Sequence, residues 1–115
     1  MRVAVVDDSA ADRAWLAGEL EALLARRGLE GTVTAFSEGG DFLEAARAER
    51  FGLAFLDVYM EGMDGVETAR ALREFDPGCL LVFSTSSEDH ALEGYRVHAA
   101  QYLVKPYGAE EREAL

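Results

Sequence analysis

The sequence predicts a doubly wound α/β domain: a five-stranded parallel sheet with helices on both faces. Three observations carry this. Short runs rich in Val, Leu and Phe recur five times, and stretches of helical periodicity separate them. Strand and helix alternating in this way call for successive right-handed crossovers and a parallel sheet. Several of the runs are apolar at nearly every position, which suits strands buried on both faces. The third is length. A chain of 115 residues buries roughly 65% of the surface that its unfolded form exposes, enough for one core and too little for two.

The strand-like runs fall at residues 3–6, 32–36, 53–56, 80–83 and 101–104. Ser9 is placed to cap a first helix, with Asp12 three residues on. Leu16, Leu20, Leu23 and Leu24 then follow at helical spacing until Gly28. Arg26 and Arg27 stand at its C-terminal end, where positive charge is favourable. Trp15 reads as its amphipathic surface. Phe42, Leu43 and Ala46 mark a shorter second helix, with Gly39 and Gly40 before it as a turn. Asp64 and Glu67 form a capping pair ahead of Val66, Ala69 and Leu72, and Asp76, Pro77 and Gly78 stop that third helix. A fourth helix reads over 88–97, with Ala91, Leu92 and Tyr95 on one face. The fifth begins after Pro106 and is still running at Leu115 after only about two turns of 3.6 residues. That suggests a truncated helix in one domain spanning 1–115, or an N-terminal fragment of a longer chain.

Composition excludes several functions. With 22 acidic residues against 11 basic ones and a net charge of -11, the chain has no clustered basic face with which to neutralise nucleic-acid phosphates. No apolar stretch approaches the roughly 18 residues of a membrane span. The start, MRVAVVDDSA, ends its apolar run in two aspartates without a small-residue cleavage site, so no export signal is read. One cysteine, Cys79, makes neither an internal disulfide nor a zinc site; it reads as a small residue before a strand, and a reducing cytoplasm is the expected compartment.

In open α/β sheets the working crevice lies at the carboxyl ends of the strands. The first strand here ends in Asp7 and Asp8, the third in Asp57, the fourth in Ser84 and Thr85, and the fifth in Lys105. If the first and third strands are neighbours, three carboxylates converge. That is costly unless a cation or proton offsets it. Hard oxygen ligands of this kind suit Mg²⁺. Capping of the first helix accounts for Asp8 and Ser9 but not for Asp7 and Asp57 as well. Lys105 is the only lysine beside ten arginines, and a compact ammonium approaches phosphate as a point charge, unlike the guanidinium fork.

Four segments, VVDDS, FLDVYMEGMDGVE, VFSTSS and QYLVKP, occur in an order and spacing that resemble the receiver domains of bacterial two-component response regulators. The resemblance covers essentially the whole chain. It implies a flavodoxin-like (βα)5 fold with strand order 2-1-3-4-5, and a signalling switch rather than an enzyme with a separate substrate. Asp57 would be the phosphoacceptor. Asp8, Asp57 and the Tyr59 carbonyl would ligate Mg²⁺, with Asp7 acting mostly through water. Thr85 would hydrogen-bond the phosphoryl group and Lys105 would pair with it. Tyr102 would be the aromatic that changes rotamer on activation, while Tyr59 and Ser87 would tune water access. The implied partners are a sensor histidine kinase, an attached or separate transcriptional output, and a second copy through the face made by the fourth helix, fifth strand and fifth helix.

The segment SSEDHALEGYRVHAAQYLVKP is more narrowly similar to receivers that precede LytTR-type DNA-binding domains. Two departures stand out. Glu61 occupies a position where the family commonly has proline, which loosens the loop and adds charge. Ser84 is polar in a strand that is usually apolar there. His90 and His98 read as surface or half-buried packing, and Met60 and Met63 as packing or partner contacts. A Mg²⁺-dependent aspartyl-phosphate hydrolase fits poorly, because such enzymes pair the nucleophile with an aspartate two residues later, and positions 59 and 9 are Tyr and Ser. A binding-only relative of the receivers usually lacks a site residue, and here the set is complete.

Overall fold

The computed structural model describes residues 1–85 and 99–104, with the side chains of 1–84. Five strands, β1 (Arg2–Val6), β2 (Thr32–Phe36), β3 (Leu53–Asp57), β4 (Leu80–Thr85) and β5 (Ala99–Val104), form one sheet in the order β2-β1-β3-β4-β5. Each neighbouring pair is parallel. Among the described residues three helices connect them: α1 (Ala10–Arg26), α2 (Gly39–Ala48) and α3 (Gly65–Arg73). The fourth and fifth helices expected from the sequence lie outside the described residues, as do His90 and His98. The fifth strand begins two residues earlier than its apolar run, at Ala99, with a register irregularity opposite Leu81 and Val82.

Alternation along the central strands builds two hydrophobic layers. Ala4, Val6, Ala54, Leu56, Leu81 and Phe83 pack with the buried faces of α2 and α3. Val3, Val5, Phe55 and Val82 pack with Leu16 and Leu20 of α1. Trp15 also joins this second layer, partly buried, which corrects its reading as surface: it lies on the edge of the stripe that α1 turns toward the sheet. The edge strand β2 has no fully buried residue, as expected where only one neighbour covers it.

The helix ends follow their sequence signals. Ser9 Oγ accepts from the Asp12 N–H at 3.3 Å. At the other end of α1, Gly28 takes φ 62°, and the Leu29 and Gly28 N–H groups bond to the Leu24 and Ala25 carbonyls; this is the Schellman arrangement, for which glycine avoids the left-handed penalty. Asp64 and Glu67 close a reciprocal capping box. Gly39 and Gly40, expected as a turn, instead begin α2. The reason is tertiary. A Cβ on Gly39 would run into the Thr68 hydroxyl of α3, so glycine lets the two helices approach.

Buried Asp76 explains why its tripeptide ends α3. Its Oδ1 accepts from the Gly78 and Cys79 N–H groups at 3.0 and 3.2 Å, a side-chain-mediated turn. The adjacent thiol feels this. Burial and, secondarily, the Asp76 carboxylate push Cys79 up to about 11, with Arg73 opposing. The unfolded chain therefore ionises its thiol first. Stability from this group is present in full below about pH 9 and is lost as pH rises toward 11, by roughly 2 to 3 kcal/mol. Urea melts at several pH values should show this extra decline in the parent and not in Cys79→Ala.

Candidate acidic site at the carboxyl edge of the sheet

Strand register assembles the site. Val6 of β1 is aligned with Leu56 of β3, so the next residues along each, Asp7 and Asp57, emerge side by side. Asp57 is in turn paired with the buried Ser84 of β4, and Thr85 follows one residue on. One carboxylate oxygen each from Asp7, Asp8 and Asp57 lies within 4.8 Å of the others. Asp7 and Asp57 are buried, at 2% and 5% exposure, while Asp8 reaches solvent.

Two loops hold these groups. After β1, the Asp7 N–H continues the ladder to the Phe36 carbonyl at 3.0 Å. Asp7 Oδ1 accepts from the Ser9 N–H at 2.9 Å, and its carbonyl accepts from Arg13 Nη1 at 2.8 Å. Ser9 is the helix cap, whereas Asp8 accepts from the Glu61 N–H, through Oδ2 at 3.3 Å. After β3, the Val58 N–H bonds to the Ser84 carbonyl and the Gly65 N–H to the Val58 carbonyl. The intervening turn passes through Gly62 at φ 74°. Asp8, Tyr59, Met60, Glu61, Gly62 and Asp64 line an open depression there. Met60 is buried against the core, and Tyr59 and Met63 are exposed.

Gly65 is required by a close approach. A Cβ there would collide with the Asp57 carbonyl oxygen, so α3 starts directly against the strand that carries Asp57. Gly65→Ala must push the two apart; a loss of about 1 to 3 kcal/mol is expected, measured by urea denaturation.

Three carboxylates this close form a strongly negative oxygen donor set that fits a small hard divalent cation. Thr85 ends β4 and is aligned with Val104; Tyr102 sits in β5 opposite Phe83. The side chains of Thr85 and Tyr102 lie outside the described residues, as do Ser87 and Lys105, which directly follows Val104.

The chain matches the response regulator receiver domain family over residues 3–114. It belongs to that family. Among curated relatives, the receiver domain is 32% identical to the transcriptional regulatory protein YpdB of Escherichia coli over 108 residues, covering 93% of this chain and 42% of YpdB. It thus spans less than half the length of that relative. Among solved structures it is similar to the chemotaxis protein CheY4 of Vibrio cholerae, with TM-score 0.80, 28% identity, and coverage of 98% of this chain and 92% of that one. The BeF3-activated receiver domain of DrrB, from Thermotoga maritima, gives TM-score 0.78 and 31% identity, covering 95% and 87%.

Three features of this receiver domain escaped sequence reasoning: Arg13 on the Asp7 carbonyl, the Glu61 amide on Asp8, and Gly65 against Asp57. Only Arg13 left a local signal, a basic residue near the start of a helix. No described helix is long and apolar enough to cross a membrane.

Proposed function

We propose that this receiver domain is a phosphorylation switch in which Asp57 accepts a phosphoryl group from a phosphohistidine on a sensor kinase. The observation that carries this is the convergence of Asp7, Asp8 and Asp57 within 4.8 Å in a chain of the response regulator family. A carboxylate oxygen of Asp57 attacks phosphorus in line. The bond from phosphorus to the imidazole nitrogen breaks, its electron pair stays on that nitrogen, and an acyl phosphate forms on Asp57. Asp8, Asp57 and the Tyr59 carbonyl would hold Mg²⁺, with Asp7 acting through water, and the ion would supply positive charge against the equatorial phosphoryl oxygens. Lys105 pairs with the same oxygens from the end of β5. The Thr85 hydroxyl donates to the phosphoryl group, and Tyr102 follows the space that this opens, shifting a pre-existing equilibrium at the output face. Tyr59 and Ser87 govern the access of the water that resets the switch.

The relatives that are transcriptional regulators, and of which this chain spans less than half, support an attached output; the narrower resemblance favours one of the LytTR class. The same output face, expected from the family resemblance at the fourth helix, β5 and the fifth helix, would be the surface for a second copy. The receiver would work in the cytoplasm, where kinase and nucleotide-derived phosphate are found. Its only catalysis would be its own phosphorylation and dephosphorylation.

Incubation with Mg²⁺ and acetyl phosphate, read by intact mass, tests the proposal. One added phosphoryl group per chain is expected. No addition would instead indicate a binding-only module, and multiple-turnover release of phosphate a hydrolase.

A further inference from the structure

Arg13 stands at the fourth residue of α1, where a cation meets the positive end of the helix dipole. The helix places Arg26 in its last turn, where the dipole favours it. Arg13 has a local reason to be where it is. Donors to the Asp7–Asp8 segment include the Ser9 N–H on Asp7 Oδ1, the Glu61 N–H on Asp8 Oδ2, and Arg13 Nη1 on the Asp7 carbonyl at 2.8 Å. The first two are backbone amides, which almost any residue supplies. Arg13 is a side chain, so the residue type at position 13 decides whether that grip exists.

The Asp7 carbonyl belongs to the planar peptide that joins Asp7 to Asp8. Its orientation sets the direction in which the Asp8 side chain leaves the backbone. Asp8 is also the exposed member of the cluster, the one that packing constrains least. We propose that Arg13 is a positioning residue for the acidic site: by gripping the Asp7–Asp8 peptide it aims the Asp8 carboxylate at the cation, and so sets metal affinity without touching the metal. This rests on the reading of the cluster as the Mg²⁺ site of a phosphorylation switch.

Charge and positioning make opposite predictions for Arg13→Ala. Removing a cation beside three carboxylates would, by Coulomb attraction alone, tighten Mg²⁺ binding. Loss of a group that orients a ligand loosens it, typically 10- to 100-fold. Positioning dominates here, because Arg13 reaches the main chain of the liganding segment directly.

The test is a MgCl2 titration of the isotopically labelled 115-residue chain, following amide resonances of the loop after β1 by NMR, for the parent, Arg13→Ala, Arg13→Lys and Asp8→Asn. Urea melts in EDTA check that each variant is folded, and Arg13→Met, which keeps the apolar stem, replaces the alanine variant if that one is not. Arg13→Ala should bind Mg²⁺ about tenfold more weakly. Arg13→Lys, which retains both a donor and the charge, should recover most of the loss. Tighter or unchanged binding in Arg13→Ala, beside a parent that binds and an Asp8→Asn that does not, overturns this proposal alone. A parent that binds no Mg²⁺ overturns the reading of the site, and this proposal with it.

Discussion

Asp57→Asn is expected to take no phosphoryl group from acetyl phosphate under conditions that label the parent once per chain. Asn preserves the size of the side chain and its place at the end of β3, where Asp57 is paired with Ser84. What it removes is the anionic oxygen. An amide is a poor nucleophile toward phosphorus, and its substitution also takes one charge from a donor set that must hold a divalent cation. EDTA should abolish labelling of the parent for the second reason alone. Intact mass spectrometry distinguishes the outcomes, and an Asn variant labelled at the parental rate would remove Asp57 as the acceptor.

The same substitution is expected to stabilise the metal-free fold. Carboxylate oxygens within 4.8 Å of one another repel by about 3 kcal/mol per pair at an effective dielectric near 20. Water at the exposed Asp8 reduces this, and so would the Lys105 ammonium expected beside the site. A net gain of about 1 to 3 kcal/mol for Asp57→Asn in EDTA remains. With saturating Mg²⁺ the advantage should shrink, since a cation that binds only the folded parent stabilises it by mass action. Urea melts of both proteins, with EDTA and with Mg²⁺, give the four values needed. A parent indifferent to Mg²⁺, or an Asn variant less stable in EDTA, would argue that repulsion among the three aspartates does not strain the fold.

Much of this was legible in the linear sequence because the signals are local. Periodicity located the strand and helix segments now described, and the Ser9 cap, the Asp64 and Glu67 box and the stop at Asp76 each depend on residues within a few positions of one another. The acidic residues were legible for a related reason. Parallel strands all point their carboxyl ends to one edge, so charged residues that end successive strands must lie near each other once the order is known.

What the sequence could not decide is whatever depends on two distant segments meeting. Gly39 looked like a turn residue and is a helix start, because Thr68 of α3 leaves no room for a Cβ. Trp15 looked like surface and is partly buried, because α1 packs against the sheet layer that holds Val3 and Val5. Gly65 gives no hint of its role until α3 is seen against the Asp57 carbonyl. The same holds for Glu61, whose amide reaches the Asp8 carboxylate only after the sheet has placed β1 beside β3. Arg13 is six residues from Asp7, and its bond to that carbonyl depends on the conformation of the turn between β1 and α1. The sequence by itself determined which chemical groups this receiver domain carries and on which strand ends they stand. Only the tertiary structure decided which backbone atoms hold them in place, since a hydrogen bond of about 3 Å between residues dozens of positions apart has no periodicity by which to announce itself.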